Sequence, residues 1–275
     1  IKECDWSSDV CSSDLLRSVA SREIIKFAQQ RGRLLSGLVR PLLWLVVFGA
    51  GFQNVFGVSI IPPYTTYITY QTHIVPGLLG IVLLFNGMLS SLSMVYDREM
   101  GIMRLLLTAP LPRWILLGCK LLAGCALSVI QAYVFMATSA LFGVTFDWQG
   151  WITVFPALVV AGLMLGALGL VLSVYVRQLE NFAGAMNFVI FPMFFMSSAL
   201  YPLWKLQEGG AEIVYWLSVI NPFTHAVELC RFALYGMFNW ISCAVVIGCT
   251  IVFFIAANLG YDPQSGILRR TRGGN

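Results

Sequence analysis

Apolar runs of membrane length recur along this chain, and they leave few folds open to it. They fall at residues 41–56, 74–95, 114–142, 151–176, 182–201 and 241–257, and residues 34–38 can extend the first. A helix rises about 1.5 Å per residue, so about 20 apolar residues cross a hydrocarbon core of about 30 Å. Composition agrees: 58% of the residues are hydrophobic and 11% are charged, where a soluble domain carries about 25% charge. Most of the surface is therefore expected to face lipid. The expected fold is all-α and polytopic, with six transmembrane helices, an N-terminal interfacial amphipathic helix and re-entrant or interfacial helices before the last span.

The basic residues give this bundle a direction. With six spans, Arg17, Arg22, Lys26, Arg31, Arg33, Arg40, Arg98, Arg104, Arg113, Lys120, Arg177, Arg269, Arg270 and Arg272 all fall on one side, and Lys205 and Arg231 on the other. Positive residues collect on the cytoplasmic side. Both termini and the central hydrophilic stretch are therefore expected in the cytoplasm, and an odd number of spans would scatter the charges. The net charge of +4 is no nucleic-acid signal, because the basic residues flank apolar runs rather than forming a stripe with interleaved aromatics.

The ends differ from the middle. Residues 1–15, IKECDWSSDVCSSDL, are acidic and serine-rich and lack the basic start and apolar core of a signal peptide. They resemble translated sequencing-adapter read-through and are set apart as non-native. Residues 16–260 form one transmembrane domain, and 261–275 a basic tail. Within the domain, 16–40 alternate basic and apolar residues with the spacing of a basic amphipathic helix lying on a membrane surface. An ordinary solvated helix is the alternative.

The central stretch, residues 96–120, reads YDREMGIMRLLLTAPLPRWILLGCK and breaks at Pro110 and Pro112. A charged helix that ends at a proline pair and is fixed to a span on each side can move both as a rigid lever. Asp97, Arg98 and Glu99 would anchor its base, and the apolar run from Met103 through Leu105, Leu106 and Leu107 would offer contact to another protein. A merely solvated loop has no use for that run. Residues 202–239 are neither plain loop nor clean span, since Lys205, Glu208, Glu212, Pro222, Glu228 and Arg231 interrupt an apolar, aromatic sequence. Polar-interrupted segments of sub-span length suit re-entrant or interfacial helices. Asn221-Pro222 is a helix-start signal, and Glu228 and Arg231 share a helix face and can neutralise each other. A surface helix with an unimportant pair remains the alternative.

Few residues carry chemistry. There is no GxxxxGK[ST] phosphate-binding loop, no HExxH and no GxSxG. His73 and His225 lie near outer boundaries and read as interfacial polar residues, and the seven cysteines as small buried hydrophobes. No charged residue falls near the middle of an expected span, unlike the pattern of ion pumps and proton-coupled carriers. The face made by Gly162, Gly166 and Gly169 suits close helix packing or a dimer contact. Asn86 and Ser90 on the second span, with Asn187, Met193 and Met196 on the fifth, either line a cavity for amphipathic molecules or simply pack the helices.

Taken together, the basic amphipathic start, EMGIMRLLLTAPLPRWILLGCKLL after the second span, the short turn at 177–181 and INPFTHAVELCRFALYG before the last span resemble the membrane permease subunit of type-2 ATP-binding-cassette (ABC) exporters. The match covers residue 16 to the last span. Glu99, Gly101, Thr108 and Pro110 correspond to an E-x-G followed by a helix and a T-x-P turn; Asn221, Pro222, Glu228 and Arg231 correspond to an N-P-x-x-x-x-x-E/D-x-x-R pattern. Arg104 departs from the pattern, where many members carry an acid.

The resemblance implies a homo- or heterodimer of permeases in a bacterial cytoplasmic membrane, seated on cytoplasmic ABC ATPase subunits. ATP and magnesium would be bound by those subunits and no cofactor by this chain. A coupling helix spanning Asp97, Arg98, Glu99, Gly101, Met103, Arg104, Thr108 and Pro110 would transmit their closure. The implied activity is efflux of an amphipathic, drug-like or lipid-like molecule, with polysaccharide or glycolipid export as the alternative. An intramembrane enzyme or a channel would instead show activity of the lone chain.

Overall fold

The computed structural model describes residues 21, 31–52, 63–64, 68–100, 113–144, 146–176 and 178–260. The described elements are helices: α1 (Arg31–Phe52), α2 (Tyr70–Glu99), α3 (Arg113–Leu141), α4 (Trp148–Tyr175), α5 (Leu179–Phe195), α6 (Leu203–Glu208), α7 (Glu212–Ile220), α8 (Pro222–Leu234) and α9 (Trp240–Gly260). Among the described residues, α2, α3, α4 and α9 are the four helices long and apolar enough to cross a membrane. The all-helical, membrane-spanning fold stands as expected. The other two expected spans coincide with α1, which carries Arg31, Arg33, Arg40 and Pro41 within its length, and with α5, an apolar helix of 17 residues.

Two boundaries moved. The basic stretch expected to lie flat on the membrane does not end at Arg40: residues 31–40 run unbroken into the first apolar helix. Pro41 is absorbed inside α1, and the Arg40 guanidinium lies 4.2 Å over the Phe85 ring of α2, where a cation on an aromatic face is favourable. The remainder of the basic stretch, the 1–15 segment and the 261–275 tail lie outside the described residues, apart from Ser21. The fifth helix stops at Phe195 rather than near residue 201. Pro192 is accommodated inside the helix, and just past its end Ser197 turns its hydroxyl back onto the Phe194 carbonyl at 2.6 Å.

α2 is the central helix. Inside its apolar window 78% of the residues are buried, against 17% for α9. It packs along α3 and α4 and is also met by α1, α5 and α8. Glycine permits this closeness: a Cβ added at Gly169 of α4 would sit 2.9 Å from the Gly87 carbonyl oxygen of α2, and one at Gly87 would sit 3.0 Å from the Gly166 backbone. Gly162 faces the Cys125 sulfur of α3 in the same way, at 3.1 Å. The small-residue face of α4 is thus closed within this chain, as packing rather than as a contact for a second copy. α9, by contrast, turns Ile247, Ile251, Val252 and Ile255 outward, as a lipid-facing helix does.

Between α5 and α9 stand helices of 6, 9 and 13 residues, each too short to span. α7 exposes Ile213, Trp216, Leu217 and Ile220. α8 is different. It lodges against α2, α4 and α9 and buries Phe223, Val227, Leu229, Cys230 and Leu234. It is therefore an inserted helix rather than a surface one.

Candidate functional site: polar anchors at opposite ends of α2

At its C-terminal end, α2 finishes with the residues that start the central stretch. Asp97 accepts a hydrogen bond from Lys120 Nζ of α3 at 2.9 Å, and the two side chains are 2% and 6% exposed. Beside Lys120, Gly87, Ser90, Ser91, Gly124 and Gly166 line a small void of about 10 Å³, room for about one water. A charge freed from this pair would have little water to turn to, so the partners hold each other firmly. Two residues on, Glu99 Oε1 accepts from the backbone N–H of Leu179 at 2.9 Å. Leu179 opens α5, and its neighbour Gln178 supplies no side-chain cap. Glu99 thus satisfies one of the unpaired N–H groups of that helix and places negative charge at its positive end.

The base of the central stretch is therefore fastened to two further helices, α3 through Asp97 and α5 through Glu99. The second link joins residues 80 positions apart, and nothing in the sequence announced it. Arg98 lies in α2, with its side chain outside the described set; Gly101, Met103, Arg104, Thr108 and Pro110 lie wholly outside the described residues.

The opposite anchor, beside the N-terminal half of α2, is built around Asn221. Its Oδ1 accepts from Phe223 N at 3.0 Å and caps α8, with Pro222 at the first helical position. Its Nδ2 donates to the carbonyls of Met193 and Met196, each at 2.7 Å. One side chain therefore starts α8 and satisfies carbonyls left open at the end of α5. Arg231, 4% exposed, pairs with Glu228 one turn away and donates to Ser198 O at 2.7 Å. All four residues of the expected motif thus serve one junction. Pro222 and Asn221 start α8; Glu228 neutralises Arg231, and Arg231 holds the turn that follows α5.

The start of α2 closes against the same junction. Cβ atoms added at Gly77 and Gly80 would lie 2.6 Å from Ala199 and 2.9 Å from Val227. His73 Nδ1 meets the Tyr64 hydroxyl at 3.0 Å, and the Tyr64 ring stands edge-on to Tyr235, centroids 5.2 Å apart. Burial raises the Tyr64 phenol above its ordinary range, and the positive charge of Arg231 pulls it partly back.

The five residues considered for a substrate cavity are spread out. Asn86 is buried, and its amide nitrogen has no hydrogen-bond partner. Ser90 lines the small void beside Lys120. Asn187 is exposed on α5; Met193 is half-buried and Met196 exposed. Two larger cavities lie beside the end of α8. One, of about 480 Å³, is lined by Phe146, Asp147, Gln149 and Tyr235 among others. Its neighbour, of about 280 Å³, is lined by Pro156, Val160, Leu229 and Phe238 among others, and Gly236 and Met237 border both.

Known proteins are similar to this sequence. The chain is 30% identical over 233 residues to the transport permease ycf38 of Pyropia yezoensis, covering 82% of this chain and 75% of that one. It is 31% identical over 237 residues to the ycf38 permease of Cyanophora paradoxa, covering 81% and 74%. The inner membrane transport permease YadH of Escherichia coli strain K12 is 24% identical over 244 residues, covering 88% and 90%. The model of the ABC-2 type transporter family matches residues 14–235, which include α1 to α8 and both polar anchors. A bundle of apolar helices with this match across most of its length is a transmembrane permease of an ABC transporter, and the chain belongs to the ABC-2 type transporter family.

Proposed function

We propose that this chain is the permease subunit of an exporter that moves an amphipathic molecule out of the cytoplasm, driven by ATP hydrolysed, with magnesium, on a separate ATPase subunit. The observation that carries the proposal is the fastening at the inner end of α2. The coupling stretch leaves α2 just after Asp97 and Glu99, which hold α3 and α5. Force applied to residues 100–112 is therefore delivered to three helices at once. A segment built for this purpose needs a rigid base, and a solvated loop does not. Both termini and this stretch face the cytoplasm by the placement of basic residues. Gly101, Met103, Arg104, Thr108 and Pro110 form the contact with the ATPase.

The active unit is a dimer of permeases, homo- or heteromeric, in a bacterial cytoplasmic membrane. α5 supports this, because it leaves Asn187, Phe188, Phe191 and Phe195 exposed on the protomer, and a polar amide among aromatics is better covered by protein or substrate than by lipid. The adjoining polar-lined and apolar-lined cavities favour a cargo with a head and a tail, in line with multidrug-type or lipid efflux. Sugar export is the second proposal, favoured by Asp147, Gln149 and the aromatic ring of Tyr235 in the larger cavity.

The test is reconstitution of the chain with and without its co-purifying ATPase in liposomes, scored for ATP-dependent movement of a cationic amphipathic dye and of a fluorescent glycolipid. Dye movement that needs both subunits is the expected result. ATP hydrolysis or ion conductance by the lone chain would overturn the proposal, and glycolipid movement alone would select the second.

A further inference from the structure

We infer that Lys120 is a positioning residue of the transport cycle: its ion pair with Asp97 is the clasp that makes α2, the coupling stretch and α3 move as one body. This inference rests on the coupling role proposed above and extends it to a residue inside a helix. Lys120 lies well within α3, seven positions after its start at Arg113, at about 10 Å along the helix. A lysine at that depth in an apolar helix has to be held by something. Here Asp97 meets it at 2.9 Å from the opposite helix.

The surroundings exclude an incidental pair. Deeper in the bundle from the pair, on the side of Lys120, Gly87, Gly124 and Gly166 bring the backbones of α2, α3 and α4 together. A Cβ at Gly124 would lie 2.5 Å from Ser90 Oγ, and one at Gly166 would lie 2.8 Å from a Leu121 methyl group. Both side chains are nearly closed from solvent, Lys120 at 6% and Asp97 at 2%, so either charge parted from its partner has little hydration to replace it. Surface ion pairs are exchanged easily for hydration, whereas a pair in this setting gives a fixed distance between two helices. It also closes the chain on itself: the segment between residues 97 and 120 begins and ends at one bond. A push on that segment then reaches both helices with little lost to flexing between them.

A purely structural pair and a clasp differ in one respect. Removing both charges together relieves the cost of leaving one of this pair buried without the other, but it does not restore the link. The full chain co-expressed with its ATPase, purified as a complex and placed in liposomes, is read for Tm and for permease-dependent ATP turnover per assembled complex. Lys120→Met and Asp97→Asn each lower that turnover by about tenfold and lower Tm. The double variant D97N/K120M regains Tm relative to Lys120→Met yet keeps the low turnover, while Lys120→Arg retains most of it.

Turnover that returns together with Tm in the double variant, or wild-type turnover in Lys120→Met, overturns the clasp. If Lys120→Met does not assemble, the double variant alone decides by the same criterion, wild-type turnover per complex being the overturning result. A wild-type chain that recruits no ATPase refutes the coupling role itself and the clasp with it, which separates the two failures.

Discussion

At the scale of single residues, each anchor has a substitution that separates its parts. Glu99→Gln keeps a carbonyl that can accept from Leu179 N, whereas Glu99→Ala removes the acceptor. Losing such a helix-end hydrogen bond costs about 1 kcal/mol, so Glu99→Ala is expected to lower transport strongly and Tm slightly, with Glu99→Gln close to wild type in both. Transport assays beside thermal melts check it; equal transport in the two variants would remove the role given to this bond. Asn221 divides in the same way. Asn221→Asp retains the cap on α8 but loses the donors to Met193 and Met196, and Asn221→Ala loses all three bonds. The expected cost for alanine is about 2–4 kcal/mol, with aspartate worse than its shape suggests because it buries a charge against carbonyls. Chemical denaturation in detergent measures both. Arg231→Met leaves Glu228 unpaired and frees the Ser198 carbonyl, an expected loss of about 3–5 kcal/mol.

At the scale of elements, the helices were legible and their joints were not. Long apolar runs announced α2, α3, α4 and α9, because a membrane asks for length and hydrophobicity and little else. Asn221-Pro222 announced the start of α8, since capping is a local property. The end of α5 was harder. Phe195, Met196, Ala199 and Leu200 are as apolar as the helix before them, and only the reach of Asn221 from 25 and 28 residues away, with the serine turn, explains the stop. The Glu99 link to Leu179 was equally hidden, because a carboxylate near a span boundary looks the same whether it meets water or a helix end. The glycines of α4 gave the face but not the partner. Their depth against α2 leads to a prediction: Gly169→Leu forces α4 off the Gly87 carbonyl and prevents a stable fold, while the same change at Gly248 of α9, where a Cβ meets nothing within 4 Å, is tolerated. Expression and monodispersity after solubilisation test the contrast.

At the scale of the whole molecule, direction and assembly are the properties to measure. With native cysteines replaced, a cysteine at Phe142, exposed in the turn between α3 and α4, is expected to react with an impermeant maleimide in intact cells. One at Met100, exposed at the far end of α2, is expected to react only after permeabilisation. The reverse pattern would invert the orientation drawn from the basic residues.

α2 also has a thermodynamic consequence. It is held at its C-terminal end by Lys120 and in its N-terminal half by close contact with Ala199 and Val227, so displacement of one end bears on the other. In the exporter proposed above, coupling through such an element would be reciprocal: a factor by which ATP-driven closure changed cargo affinity would be the same factor by which cargo changed nucleotide affinity on the ATPase. On that proposal, cargo identity would be accessible from the ATPase, by screening compounds for what they do to ATP binding in the assembled complex, before any of them has been seen to cross the membrane.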